Sequence, residues 1–436
     1  MDFARGLESG LLAFTGLRSR EPGLERRVTS LLEYAHEAAP AAASLGSSPF
    51  VPLLVTGIFA GIGGLETGFR RAGHIAVMLC ESDPAARRVL SHHFPHVELT
   101  DNVRKLRQLP PCDVVTAGFP CQDLSQVGMR NGIGGKHSKL INHVISLLRD
   151  SKSPPTWLVL ENVPFMLRLH RGAAIRKITR ALERMGWAWA YRTVDTHAFG
   201  LPQRRRRVIL LASPVKDPRP ALLGEDVGEP RLKSRGNHAC GFYWTEGNRG
   251  LGWAVDATPP LKGGSSIAIP SPPAIWFPRR RTFLLPSLED AERLQGFSPG
   301  WTERAELEPN GHRQRWRLVG NAVSVPVAQW LGERLNTNEE YDGASDDGLK
   351  PSAGWPAAAW GVGGHRGHAN VSSWPVNMPS NHLASFLQKR VRSLSLRAAG
   401  GFLSRLEESS LRVEASFLRD LRRYVRRHAQ AIQSRS

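Results

Sequence analysis

The chain has 436 residues, a formal net charge of +19, a sequence pI near 10.6 and 41% hydrophobic residues. That length buries a substantial core in two or three structural units, and so basic a balance speaks of partners, a polyanion such as nucleic acid first among them. No apolar run is long enough to span a bilayer, and the arginine-broken start "MDFARGLESGLLAFTGLRSR" reads poorly as a signal peptide, so a soluble, cytoplasmic protein without a membrane partner is expected.

Residues 1–50 are rich in Ala, Ser, Arg and Glu and read as an N-terminal extension and linker. From 51 the texture changes. "PLLVTGIF" (52–59) reads as a buried strand, "AGIGG" as a glycine turn, and "LETGFRRAG" (65–73) as a helix ending at Gly73. "IAVMLCE" (75–81) is a second strand, followed by a helix over 84–94. "CDVVTAGF" (112–119), "TWLVLENV" (156–163) and "RVILLAS" (207–213) are further strands, with helical stretches near 138–150 and 173–185. Strands alternating with helices predict an α/β fold with a doubly wound, mostly parallel sheet over 51–213.

Residues 214–284, dense in Pro, Gly and aromatics, predict a small irregular domain. Helical pattern returns over 285–335 in "SLEDAERLQGF" and "GNAVSVPVAQWLGERL". Residues 336–378, acidic and then rich in Gly, Pro and Trp, read as a linker, and 379–436 as a basic helical tail.

The four cysteines, Cys80, Cys112, Cys121 and Cys240, lie far apart and show no C-x-x-C spacing, so neither a zinc site nor a disulfide framework is indicated. Cys121 stands out. Pro120, Gln122, Asp123 and Ser125 around it describe a polar loop just after a strand, at the sheet edge where open α/β folds bind ligands. Glu161, at the end of the strand "TWLVLENV", falls on the same edge, and a thiol and a carboxyl there make a covalent-catalysis set. "FAGIGG" (59–64), between strand and helix, allows close backbone approach to a ligand, and Glu81 at the end of the next strand supplies an acceptor for the hydroxyls of a nucleotide-like cofactor.

Taken in order, these elements resemble the DNA cytosine-5 methyltransferases of bacterial restriction-modification systems, over about 51–335. The cofactor loop matches Phe59, Ala60, Gly61, Gly63, Gly64 and Leu65, and the ribose-binding acid matches Glu81. The nucleophile loop matches "GFPCQDLS" with Pro120 and Cys121, and the "ENV" element matches Glu161. The Q-x-R-x-R element matches Gln203, Arg205 and Arg207, "ERLQGF" (292–297) matches the block after the recognition region, and "VGNAV" (319–323), with Asn321, matches the final one. The family shows Gly-Asp-Ile where the cofactor adenine is held; this chain has "TDNV" (100–103), leaving that role to Asp101 or Asn102.

The resemblance implies a class I, Rossmann-like fold with a target-recognition region at 214–284. It also implies S-adenosylmethionine as cofactor, S-adenosylhomocysteine as product and no metal. The substrate implied is double-stranded DNA methylated at cytosine carbon 5 by a monomer, with room for a cognate restriction endonuclease sharing the target. In such an enzyme the base is flipped out of the stack. Cys121 adds to carbon 6, Glu161 engages nitrogen 3, and Arg205 and Arg207 hold the base and favour the thiolate. An RNA (tRNA) cytosine-5 methyltransferase, which would share Cys121 and Glu161, is the alternative.

The tail lies outside the resemblance. In "FLRDLRRYVRRH" (417–428), Phe417, Leu418, Leu421, Tyr424 and Val425 make one apolar helix face, with arginines on the other. The expectation is an add-on whose basic face touches phosphates and whose removal weakens binding to all duplexes alike.

Overall fold

A computed structural model describes residues 50–119, 138–230, 236–248, 250–263, 271–337, 339–349, 354–387 and 391–433. In chain order the strands are β1 (Leu54–Ile58), β2 (Ile75–Cys80), β3 (Glu98–Thr100), β4 (Val114–Ala117), β5 (Trp157–Asn162), β6 (Ala188–Asp195), β7 (Arg206–Ser213), β8 (Cys240–Phe242), β9 (Ala254–Val255), β10 (Ala274–Phe277), β11 (Thr282–Leu285), β12 (Asp347–Gly348), β13 (Ala358–Val362), β14 (His365–His368) and β15 (Arg392–Ser393). The longer helices are α1 (Gly64–Arg71), α2 (Pro84–His93), α3 (Ser138–Arg149), α4 (Ala173–Arg184), α5 (Leu288–Leu294), α6 (Gly311–Asn321), α7 (Val325–Arg334), α8 (Leu396–Glu407) and α9 (Ala415–Gln433). No helix among the described residues is long and apolar enough to cross a membrane.

The chain forms two compact units, each made of discontinuous segments. The first holds residues up to 194, 206–228 and 323–376; the second holds 195–205, 229–322 and 377–436.

In the first unit ten strands form one sheet in the order β12-β14-β13-β6-β7-β5-β4-β1-β2-β3. β3, β2, β1, β4 and β5 run parallel, which is the expected Rossmann-like half. From β5 onward the sheet turns antiparallel, through β7 on one side and β6, β13, β14 and β12 beyond it.

Side chains alternate across the sheet with period two, so both faces must be covered. Met78, Cys80, Val115, Leu158, Leu160, Val208 and Leu210 share one face, packed with Val144 and Leu147 of α3 and Ile178 and Leu182 of α4. The opposite face carries α1 and α7, which approach closely because Gly68 has no side chain to meet Ala328. The sheet is wound on both faces, as expected.

Two features of this unit differ from the sequence reading. β6 was not anticipated: its Arg192 breaks the apolar run, yet Arg192 is fully buried. It donates to the Ser372 carbonyl at 2.8 Å and to Asp226 at 2.6 Å. Residues 336–378, expected as a linker, supply β12, β13 and β14. Trp355 packs on Trp189 and Tyr191, and the Tyr191 hydroxyl donates to the Pro356 carbonyl at 2.9 Å. Tryptophans in a Gly/Pro-rich stretch are here sheet residues and packing anchors.

The second unit is built on a small antiparallel sheet, β15-β11-β10-β8-β9. Strands of two to four residues cannot bury a face by themselves. The covering layer comes from α8 and α9: Phe402, Phe417, Leu421 and Tyr424 are buried against Phe242, Trp276 and Phe283. Trp276 Nε1 donates to Asp420 at 3.2 Å, and the Tyr424 hydroxyl donates to the Leu394 carbonyl at 2.7 Å. The tail therefore supplies one side of the core around the small sheet. The expected helix pair exists, but the add-on reading is corrected, and deletion of 379–436 would strip a core rather than a surface.

One buried group in the first unit carries a charge question. Glu66 on α1 lies over Gly57, flanked by Thr116 and Leu79, which pair with Gly57 across β4 and β2. The Thr116 hydroxyl meets Oε1 at 2.9 Å, and Oε2 has no hydrogen-bond partner among the described residues. A Cβ on Gly57 would stand 2.3 Å from Glu66 Oε1, so that glycine makes the room the carboxyl occupies. Burial pushes the carboxyl from 4.5 up to about 7, against the pull of its hydrogen bonds.

Two outcomes follow for stability. The unfolded chain loses the Glu66 proton near its ordinary value while the folded chain keeps it to about 7. The folded state therefore loses about 3 kcal/mol between those two pH values. Glu66→Gln removes that fall, so denaturant titrations should show the variant gaining on wild type as pH rises from 5 to 8; a difference constant with pH contradicts a neutral Glu66. Phe417→Ala should cost about 3–5 kcal/mol, as for other buried aromatics. A loss under 1 kcal/mol would restore the add-on reading.

Candidate active site

The carboxyl edge of the parallel strands gathers the residues that the sequence singled out in the first unit. After β1 the chain turns sharply. Phe59 and Gly61 have φ of 56° and 57°, and Gly63, at 81°, precedes α1. Gly64 is needed for a different reason: a Cβ there would stand 2.4 Å from the Val323 carbonyl oxygen. Among the described residues nothing lies within 4 Å of a Cβ built on Gly61.

Glu81, just past β2, anchors this loop. Its Oε2 accepts the Gly61 N–H at 2.8 Å and its Oε1 accepts the Asp83 N–H at 2.8 Å. Burial pushes its carboxyl up, and the N–H groups of Asp83 and Gly61 draw it back. A carboxylate with one N–H on each oxygen keeps lone pairs for further donors, as ribose hydroxyls require. Asp101, past β3, is exposed and paired with Lys105 at 3.0 Å, while Asn102 Oδ1 accepts the Arg104 N–H at 3.0 Å. Both lie at the same edge.

Glu161 closes β5. In the antiparallel register Glu161 faces Ile209 and Asn162 faces Val208, so period two puts Arg207 diagonally across on the Glu161 face. Arg207 Nε and Glu161 Oε1 are 3.0 Å apart, with the carboxyl side chain 10% exposed. Asn162, on the other face, donates through Nδ2 to the Phe119 carbonyl at 3.2 Å and accepts the Val163 N–H at 2.8 Å. It thus fastens the exit of β4 to the end of β5.

The meeting point is Gly118. A Cβ built there would lie 3.7 Å from the Phe59 carbonyl oxygen, 3.8 Å from Glu161 Oε2 and 3.9 Å from Val323 Cγ2. Phe59 of the cofactor loop, Glu161 of the "ENV" strand and Val323 thus converge on the residue two before Pro120. Pro120 and Cys121 themselves lie outside the described residues. Of the other cysteines, burial pushes the Cys80 and Cys112 thiols up to about 12, and Cys240 is buried in the second unit's sheet. A nucleophile must be a thiolate, so burial sets Cys80 and Cys112 against that role.

Gln203, Arg205 and Asn321 belong to the second unit. Gln203 is fully buried; its Nε2 donates to the Leu294 carbonyl at 2.7 Å and its Oε1 accepts the Leu261 N–H at 2.9 Å. Arg205 is 1% exposed and donates to the carbonyls of Leu261, Gly320 and Ala322 at 2.9, 3.0 and 2.8 Å. The sequence reading put Arg205 on the flipped base beside Arg207. Its guanidinium braces the chain at Leu261, Gly320 and Ala322, while Gln203 reaches Leu294 of "ERLQGF"; neither set of partners could be read from the motif's spacing. Asn321 ends α6 and lies against Gly263. Gly118 and the staple from Asn162 to Phe119 were missed; they sit inside the quoted motifs, but no residue-type rule marks them.

Residues 54–226 match the family model of the C-5 cytosine-specific DNA methylases. The type II methyltransferase M2.BsuMI of Bacillus subtilis is 43% identical over 389 residues, covering 87% of this chain and 100% of that protein. M.MspI of a Moraxella species is 32% identical over 301 residues, 64% of this chain and 69% of that protein. M.DsaV of Dactylococcopsis salina is 25% identical over 313 residues, 64% and 84% of the two. A sheet edge that brings the cofactor loop, Glu81 and the Glu161–Arg207 pair together thus stands in a chain that spans a relative end to end, and the chain belongs to the C-5 cytosine-specific DNA methylases.

Proposed function

We propose that this DNA cytosine-5 methyltransferase works through a covalent adduct of Cys121 with a flipped cytosine, within a short specific sequence of duplex DNA. The observation that carries the proposal is the convergence at Gly118, three residues before Cys121, of the cofactor loop, Glu161 and Val323. Membership among DNA methylases favours DNA over the RNA alternative.

Phe59 to Leu65, Glu81 and Asp101 or Asn102 would hold S-adenosylmethionine, and the clearance at Gly61 among the described residues and the spare lone pairs of Glu81 fit it. Asn321 remains a further proposed contact. When bound, this cofactor supplies an electrophilic methyl group for carbon 5. The chain's own residues make that carbon reactive. Cys121 thiolate adds to carbon 6, breaking the 5,6 double bond and sending its electrons toward carbon 5. Glu161 holds a proton at nitrogen 3, so negative charge does not build up on the ring. Arg207 fixes the Glu161 carboxyl and presents a cation beside it. Gln203 and Arg205 act as positioning residues. Solvent water then takes the carbon-5 proton, the C–H electrons re-form the 5,6 double bond, and Cys121 leaves as thiolate. Nucleophile, proton and methyl all have sources, so no step calls on a metal.

M2.BsuMI, M.MspI and M.DsaV are named type II methyltransferases, which supports a restriction-modification role; an endonuclease of the same target and a monomer acting on DNA complete the proposal. Recognition of that target is assigned to 214–284, most of which lies in the second unit, whose core the tail completes; that unit begins at 229 rather than 214 and also takes in 285–322, which the sequence reading returns to the catalytic domain.

Cys121→Ser should abolish methyl transfer while leaving S-adenosylmethionine binding within a few-fold of wild type. Duplex DNA carrying 5-fluorocytosine in the target, which cannot lose its carbon-5 substituent, should trap wild-type protein covalently and leave the serine variant free on a denaturing gel. Transfer by the variant above a few per cent of the wild-type rate, or no trapping of wild type, overturns the covalent route.

A further inference from the structure

In the second unit, β10 and β11 are joined by a tight turn in which Arg279, Arg280 and Arg281 are all exposed. Arg281 adopts a left-handed backbone, φ 52°, which turns the chain sharply at the end of this basic run. On α9 the apolar side is spent on the core through Phe417, Leu421 and Tyr424. Arg419 and Arg423, four apart, therefore form one exposed row on that helix.

Arg281, Arg419 and Arg423 line a single polar cleft of about 320 Å³ together with Asn237 and His238, beside Trp276. Two acids also border it. Asp420 accepts from Trp276 Nε1, and Glu414 accepts from the Ser416 hydroxyl. Among the described residues none of the three arginines makes an ion pair, whereas Arg422 on the same helix pairs with Glu407 at 2.8 Å. Guanidinium groups that share a cleft repel one another, and a ligand that adds negative charge relieves the repulsion. Oxygens of a phosphodiester suit them in both charge and fork geometry.

We propose that this cleft seats backbone phosphates of duplex DNA, so that the C-terminal helix and the Arg279–Arg281 turn form one sequence-independent grip. The inference rests on the reading of the chain as a DNA methyltransferase and assigns the tail a place in it: α9 closes the core with one face and holds the substrate with the other. Base choice is left to other residues of the unit, because phosphate contacts carry no direct sequence information.

The test uses the full chain with Arg281→Gln, Arg419→Gln and Arg423→Gln combined, and a duplex lacking the target, titrated by fluorescence anisotropy between 50 and 200 mM NaCl. Each phosphate that the variant no longer neutralises should lower the slope of log affinity against log salt by about 0.9. The slope should therefore fall by roughly one to three, equally for every duplex, with KM for target DNA raised and kcat at saturating DNA unchanged. The triple lysine variant, which keeps the charges, should retain most of the slope, and Arg149→Gln, which removes the partner of Asp150 in the first unit, should change nothing. An unchanged slope in the glutamine variant overturns the cleft, and so does inorganic phosphate binding to wild type that the variant loses while its slope stays put, since that is a free-anion site. A slope lost equally in the lysine variant also overturns it. In each of these cases methyl transfer by wild type leaves the family reading standing. A wild-type chain that neither binds nor methylates duplex DNA overturns the family reading first.

Discussion

The ion pair between Arg207 and Glu161 is the contact around which the catalytic unit is organised. It exists because β7 runs antiparallel to β5: the register that sets Glu161 opposite Ile209 puts Arg207 one diagonal step away on the same face. A parallel neighbour would have carried its residues to the edge in the opposite sense. The carboxyl is buried, and a buried carboxylate without a partner is costly, so the arginine stabilises the fold here whatever part it takes in the proposed chemistry. The same strand end carries Asn162, whose hydrogen bond to Phe119 fixes the exit of β4, where the nucleophile loop begins. One strand terminus thus sets Glu161, its counter-ion and the exit of β4 at Phe119; in the proposed mechanism Glu161 is the group that holds the proton.

The two units share a construction logic. In each, a sheet too short or too bare to close its own core is completed by chain that comes much later. Residues 354–376 add strands and tryptophans to the large sheet, and α8 and α9 roof the small one. Buried polar residues tie distant segments together within each unit, largely through backbone groups: Arg192 to Ser372, Gln203 to Leu261 and Leu294, Arg205 to Leu261, Gly320 and Ala322. Guanidinium and amide groups suit the task because several carbonyls can be satisfied at once by a side chain in fixed geometry. In the second unit Asp256 does likewise, accepting the Leu383 N–H and facing both His238 and His382.

Much of this was legible in the sequence where one local pattern decides the outcome. "IAVMLC" and "LVTGI" are short apolar runs bounded by turn residues, and they are β2 and β1. Glu81 and Glu161 were placed at strand ends because a strand's last residues can be read from where apolar character stops. β6 was not legible, because Arg192 and Thr193 look like surface residues and become buried through partners far along the chain. The tail's helical face was read from its spacing, but periodicity says that a face is buried and not against what. Likewise Gln203 and Arg205 carry the right motif while their hydrogen bonds depend on segments some 60 to 120 residues away, which no local rule reaches. Glycine positions such as Gly118 become meaningful only once neighbouring strands are in place.

In the proposed mechanism Glu161 and Arg207 act as one catalytic pair. Single-turnover methyl transfer to a duplex target should be measured for Glu161→Gln, Arg207→Gln and the two together, at saturating S-adenosylmethionine and DNA. If the arginine works through the carboxyl, the rates are coupled, and the double variant should be no slower than the slower single one by more than about threefold. Losses that multiply, with each substitution costing its full factor in the presence of the other, would show that the two residues act independently and would contradict the account.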